Sequence, residues 1–220
     1  MYVPASFAEP NRAVLHEFMV ENPLGALVTS SPANGLYSTH LPLLFDPHRG
    51  PHGVLQGHIA RANPHVRMAA DTSNAMVIFT GPQAYITPEW YASKARDGKV
   101  VPTWNYVAVH ATGTLTFIDD AHFLLAHLAR LTDTHEASRP HPWSISDAPA
   151  EYVKQLTGAI VGVEIEILAL EGKWKMSQNR PDDDIDGVIH GLRASTQSAD
   201  HTVGDLVAAR RPVRKNSDAK

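Results

Sequence analysis

Apolar and polar positions follow two periods along this chain, and the switches between them set the expected elements. Residues 11–22 keep the 3.6-residue period, with Val14, Leu15, Phe18 and Met19 on one face, Asn11 placed to cap the start and Asn22-Pro23 to end the helix. LGALVT (24–29) and LYSTHLPLLF (36–45) read as strands around turn residues 30–35, where Asn34-Gly35 is the sharpest hairpin signal and Pro42 implies a sheet edge or a bulge. A second turn at 46–53 leads to the strand VLQGHIA (54–60), and Asn63-Pro64 opens a short helix with Asn63 as cap. AMVIF (75–79) is a buried strand, 81–91 strand and turn, and 92–100 a polar loop. TWNYVAVHATGTLTFI (103–118) is a long β run that Gly113 bends or bulges. Asp119-Asp120 caps a helix to about Leu131, followed by a loop at 139–149, a helix at 150–158, the strand 159–172, a loop at 173–180 and an acid-led helix at 181–194.

Six or seven strands in mostly hairpin-linked order, with about five helices, predict a mainly β, α+β chain: an antiparallel barrel with peripheral helices and not a doubly wound sheet. The domain is expected over 1–194, with 195–220 as a C-terminal extension of weak helix and basic tail. At 220 residues, 43% hydrophobic and 19% charged, the composition is that of a globular domain with a sizeable core. A net charge of −4 argues against a broad nucleic-acid-binding face. The absence of cysteine excludes disulfides, thiolate metal sites and a catalytic thiol. No apolar run of transmembrane length and no signal-peptide pattern occur, so a cytoplasmic protein without a membrane partner is expected.

Dinucleotide, phosphate-loop and serine-elbow motifs are all missing. The thirteen histidines show no metal-ligand spacing, so no metal site is expected. Three segments carry chemistry. Thr39-His40-Leu41-Pro42 puts a polar pair inside an apolar strand, either toward a ligand or as a satisfied strand histidine. Gly57-His58-Ile59-Ala60-Arg61-Ala62-Asn63-Pro64 delivers a strand to a helix start with an arginine at the junction; it suits an anion, and equally an ordinary capped helix with a solvated arginine. Lys173-Trp174-Lys175-Met176-Ser177-Gln178-Asn179-Arg180 combines cations, amides and an indole, suited to a planar anionic ligand or to a basic surface loop.

With these segments, the strings MYVPASFAEPNR, THLPLL, GHIARANP, VIFTGPQAYITPEWY, KVVPTWNYVAVHATG and LEGKWKMSQNRP resemble the PaiB family of FMN-binding negative transcriptional regulators, over Met1 to about Arg193. The resemblance implies an FMN-binding split β-barrel with FMN held at a homodimer interface. By the same resemblance, Thr39, His40 and Leu41 run beside the isoalloxazine ring, and His58, Ala60, Arg61 and Asn63 meet the phosphate. Trp104, Asn105, Lys173, Gln178 and Asn179 then close the site, from the other subunit, with Tyr106, Trp174 and Lys175 as further contributors.

A regulator that contacts DNA is implied by the resemblance alone, since no helix-turn-helix pattern is present and the densest basic run is Arg210, Arg211, Arg214 and Lys215. The alternative is a flavin-dependent reductase or oxidase of a small molecule, for which His40, His58 and Tyr106 are the candidate proton donors or bases, His40 ahead because it lies on the strand expected beside the ring. A haem-handling protein is the third possibility, suggested by the histidine count.

Overall fold

The computed structural model describes residues 1–33, 35–69 and 74–213. In chain order the elements are β1 (Ala8–Glu9), α1 (Arg12–Glu21), β2 (Leu24–Ser31), β3 (Gly35–Pro42), β4 (Leu44–Asp46), β5 (Val54–Ala60), α2 (His65–Met68), β6 (Asn74–Ile86), α3 (Ser93–Asp97), β7 (Thr103–Ile118), α4 (Ala121–Glu136), α5 (Ala150–Gly158), β8 (Ile160–Lys175), α6 (Asp182–Arg193) and α7 (Ser198–Ala209). One sheet runs in the order β3-β2-β6-β7-β8-β5-β4, and β1 adds to β8. The expected α+β barrel class is therefore the one observed.

The chain forms two compact units, one of residues 12–79 and 109–170 and the other of 1–11, 80–108 and 171–220. Strands β6, β7 and β8 each contribute residues to both. In the first unit, α1 buries Leu15, Phe18 and Met19, as its periodicity predicts, and stops where the Asn22 side chain donates to the Phe18 carbonyl ahead of Pro23. β2 and β3 pair antiparallel with Ser31 opposite Gly35, so the hairpin forms where expected; Asn34 lies outside the described residues. Gly35 takes a left-handed backbone, φ +69°, as a tight turn requires.

The expected single strand over 36–45 is two. Pro42 lacks an N–H for a ladder, the Leu43 N–H goes to the Pro23 carbonyl, and β4 leaves to pair with β5. Gly57 on β5 meets Leu41, Leu43 and the Pro42 carbonyl, so the two ends of this curved sheet come together as a barrel. Leu27, Leu55, Val77, Phe79, Val109, Val163 and Ile165 fill it.

Helix α4 runs to Glu136, beyond the expected Leu131, with Asp120 Oδ1 accepting from the Phe123 N–H at its start. It buries Leu124 and His127. His127 Nε2 lies 3.1 Å from Nδ1 of His58 on β5, and His127 Nδ1 has no hydrogen-bond partner although buried.

In the second unit the expected polar loop 92–100 contains α3, ended by Gly98 at φ +67°. The expected loop 173–180 is also corrected: β8 continues through Lys175, because Ala8 and Glu9 pair with Lys173 and Gly172. Such a partner, more than 160 positions away, leaves no mark on local periodicity. Helix α6 opens with three acids, and Gly187 and Gly191 let Trp90 pack directly on it. Helix α7 lies on α6 through Gly204 and the buried Val203 and Val207.

Gly113 owes its identity to close approach: a Cβ there would sit 2.0 Å from the Glu166 carbonyl oxygen of β8. Gly113→Ala is expected to cost about 1–3 kcal/mol and to lower the thermal midpoint by roughly 3–10 °C. Gly158→Ala, where a Cβ meets nothing within 4 Å, is the control and should leave the midpoint near wild type.

The His58–His127 pair generates a pH prediction. Burial, then His58 and Arg130, hold the His127 pKa down at about 4, and burial lowers that of His58 as well. The folded state therefore keeps neutral imidazoles, while an unfolded histidine titrates near 6.5. Between pH 6.5 and about 4 the unfolded chain binds more protons, so this stability is complete above 6.5 and is lost as pH falls, by at most about 1.4 kcal/mol per pH unit per group. Urea midpoints measured from pH 7 to 4.5 should fall more steeply for the wild type than for His127→Leu. Equal slopes would remove the pair from the acid response.

Candidate functional site

The predicted residues of the barrel unit fall into three local arrangements. On β3, Thr39 is half-buried, His40 is exposed and Leu41 points into the core. Among the described residues, β3 pairs along one edge, with β2. The Thr39 hydroxyl is held from behind: His65 Nδ1 lies 2.9 Å away and the Asn63 side-chain amide donates to it at 3.2 Å. The other His65 nitrogen, Nε2, lies 2.9 Å from the Thr29 hydroxyl. His65 is fully buried, edge-on to Tyr37 and Phe117, and burial lowers its pKa, so the neutral ring bridges two threonines as donor to one and acceptor from the other.

At the strand–helix junction, Asn63 works as expected, its Oδ1 accepting from the His65 N–H. Arg61 does not stand free. Its Nη atoms form a forked pair with the Asp119 carboxylate at 2.8 and 2.6 Å, while Nε and one Nη also donate to the Gly158 and Ile160 carbonyls. The pair raises the Arg61 pKa and lowers that of Asp119, both through their mutual hydrogen bonds. Both side chains remain largely solvent-exposed, so the pair is screened and exchangeable.

Two apolar cavities open beside this junction. One of about 840 Å³ is lined by Arg61, Asp119, Leu124, Leu125, Ile145 and Val153. The other, of about 440 Å³, is lined by His58, Ala60, Leu128, Trp143, Tyr152 and Leu156. Trp143, Tyr152, Leu125 and Leu156 are all exposed in the chain as it stands. These volumes match those that enclose small molecules and cofactors. Thr39, His40 and Leu41 line neither cavity.

The remaining predicted residues lie in the other unit. Trp104 is half-exposed, edge-on to Tyr85 at 6.1 Å. Asn105 is fully buried, its amide donating to the Ser177 hydroxyl at 3.0 Å. The Lys173 ammonium donates to the Tyr2 carbonyl and sits over the Tyr106 ring at 5.2 Å. Gln178 accepts from the Met176 N–H at 2.7 Å and donates to the Trp174 carbonyl at 2.6 Å, clipping its own turn shut. Trp174 is buried beneath the Arg210 guanidinium. Asn179 is exposed. In this unit Asn105, Gln178 and Trp174 thus hold the loop in shape, and Trp104 and Asn179 are the members that reach solvent.

Sequence reasoning missed His65, His127, Asp119 and the conformation of Ser177. His65 and Asp119 stand beside motifs that were read, yet their partners lie 26 to 58 positions away, and no local pattern announces that. Three or more histidine, aspartate or glutamate side chains gathered as for a metal do not occur among the described residues.

Residues 1–169 match the family described as "Putative FMN-binding domain". The chain is 32% identical to the Bacillus subtilis protease synthase and sporulation protein PAI 2, covering 88% of this chain and 89% of that one. It is 35% identical to an uncharacterized protein of Emericella nidulans, covering 96% and 97%. Among solved structures, it superposes on the FAD and heme binding protein of Mycobacterium smegmatis with a TM-score of 0.56 at 15% identity, covering 81% of this chain and 78% of that one. The corresponding values for a conserved hypothetical protein of Mycobacterium tuberculosis are 0.55, 12%, 82% and 94%; at such identities the likeness is one of fold. With a family match over most of its length and a relative above 30% identity along nearly all of it, the chain belongs to the PaiB-like family of FMN-binding proteins.

Proposed function

We propose that this chain is a homodimeric PaiB-type regulator that holds FMN at the subunit interface and lowers the expression of its target genes. The observation that carries the flavin site is the pair of ligand-sized apolar cavities beside His58, Ala60 and Arg61, the residues expected to meet the phosphate. The donor set fits the cofactor. Aliphatic and aromatic walls suit the faces of a flavin ring, the open edge of β3 offers backbone groups and the Thr39 hydroxyl to its polar edge, and Arg61 supplies a forked cation for the phosphate. When bound, FMN would supply one- or two-electron redox chemistry.

The chain's own residues have definable tasks in this reading. Arg61 exchanges its Asp119 partner for the phosphate. His65 and Asn63 fix the Thr39 hydroxyl, and the apolar wall excludes water. Trp104, Lys173 and Asn179 complete the site, contributed across the dimer on a loop that Asn105 and Gln178 hold in shape. The regulatory role draws on the Bacillus relative, whose name ties it to protease synthesis and sporulation. Direct DNA contact is part of this reading, although Arg214 and Lys215 of the basic tail lie outside the described residues. A flavin-dependent reductase or oxidase is the second reading, favoured by the exposure of His40 on the open strand, where it is accessible to an incoming substrate.

Reconstitution with FMN, removal of excess and light scattering should give about one flavin per chain and twice the 24.0 kDa chain mass. A monomer that retains flavin would sink the interface reading. Arg61→Ala should weaken FMN about tenfold or more, and Asp119→Asn, which frees the arginine, should not weaken it. Adding NADH or NADPH to the loaded dimer should leave the flavin oxidised on the time scale of minutes; rapid bleaching would favour the enzyme.

A further inference from the structure

One cofactor needs one cavity, and two lie beside the strand–helix junction. The larger holds the charged groups, Arg61, Asp119 and Lys154. The smaller, of about 440 Å³, has no aspartate, glutamate, lysine or arginine in its lining, and every lining residue belongs to the barrel unit. A phosphate brought there would meet no cation. A cofactor anchored by Arg61 therefore has its place in the larger cavity and leaves the smaller one unused.

The one imidazole in the smaller cavity is His58, and its partner fixes what it offers. His58 Nδ1 lies 3.1 Å from His127 Nε2. Burial holds both rings neutral, so one N–H bridges them. His127 is fully buried, stacked on Phe123, and its Nδ1 has no hydrogen-bond partner. A buried N–H without an acceptor is the rarer orphan, so Nδ1 is the bare nitrogen and the His127 proton sits on Nε2, donated to His58 Nδ1. The proton of His58 is then on Nε2, which has no hydrogen-bond partner among the described residues. The cavity wall thus carries an uncharged N–H donor whose tautomer is set from behind.

The cover of this cavity is held in place. The Glu136 carboxylate accepts from Arg139 Nε and from the Trp143 N–H, each at 3.1 Å. Next to it, Asp147 accepts from the Ser144 N–H at 2.8 Å and the Ser144 hydroxyl accepts from the Ser146 N–H at 3.2 Å. The loop is pinned on both sides of Trp143, although this indole is 46% exposed. Tyr152 and Leu156, one turn apart on α5, line the same cavity and are exposed as well. Apolar groups fixed in advance around a cavity lose little freedom when a ligand covers them.

We infer that the smaller cavity binds an uncharged apolar molecule carrying a hydrogen-bond acceptor of the carbonyl kind, with the His58 Nε2–H as donor and Trp143, Tyr152 and Leu156 as cover. It is a second site beside that of the cofactor, and it rests on the flavin reading only in giving FMN the larger cavity. His127 is a positioning residue that acts through His58. A carboxylate or phosphate is refused because the lining has no cation to pair with it.

The test titrates the flavin-free full chain with 2-acetylnaphthalene and with 2-ethylnaphthalene, which has the same outline without the carbonyl oxygen. The wild type should bind both. Trp143→Ala should weaken both about fivefold or more and leave their ratio unchanged. His58→Phe combined with His127→Leu, which orphans neither partner, should lower the ratio of ketone to hydrocarbon affinity about threefold to tenfold, the worth of one neutral hydrogen bond. The C=O stretch of the ketone bound to the wild type should lie below its position in hexane. No binding of either probe, an unchanged ratio in the paired variant, or a C=O band at the hexane position overturns the site, the last even if the paired variant does not fold. Loading FMN first should leave both affinities unchanged; displacement of the probes by FMN would give this cavity to the cofactor and overturn the inference. Light scattering should give Trp143→Ala the mass of the wild type, and loss of a dimer there would make this face a subunit contact and overturn it as well. Because the first arm contains no flavin, its failure is distinct from a failure of the chain to bind FMN.

Discussion

Where β7 passes β8, two backbones come so close that a single methyl group would collide with a carbonyl oxygen. Gly113 makes that approach possible, and the barrel depends on it, because β7 and β8 are adjacent in the middle of the sheet. β8 in turn holds β5, which pairs with it from Val54↔Glu166 to Ala60↔Ile160. The end of β5 in turn sets the junction that carries His58, Ala60 and Arg61. The ligand-sized cavities are thus downstream of a packing constraint some fifty positions away in sequence.

The hairpin-linked strands, α1, α4 and α5 were legible because each is specified locally: a 3.6-residue stripe in α1, an aspartate cap before α4, turn residues around Gly35. The failures are equally physical. β8 overruns its expected end because Ala8 and Glu9 supply a ladder, and periodicity does not report a partner at the far end of the chain. The break after Pro42 was half-visible: the missing N–H was read as an edge or bulge, and it marks the point at which the strand changes neighbours.

The candidate site shows the same division. Residue type identified the segments that matter, but not what each side chain does. Asn105 and Trp174 were singled out for chemistry that suits a flavin, and both are spent on holding their own unit together. Arg61 was read as an anion donor, and its anion in the free chain is Asp119. The residues that organise these segments, His65 between two threonines in one unit and Ser177 in its left-handed turn in the other, are ones whose importance lies in geometry and not in type.

The family match ends at residue 169, inside β8, whose strand runs to Lys175. That border is no border for the polypeptide, since the Emericella relative aligns over 96% of it. A gene fragment stopped there would sever a sixteen-residue strand near its middle and discard α6 and α7. Each unit is woven from separate stretches of sequence, so neither can be exchanged between relatives as a single cassette. Recombination within this family has to move whole chains, or exchange loops such as 137–149 that lie within one unit.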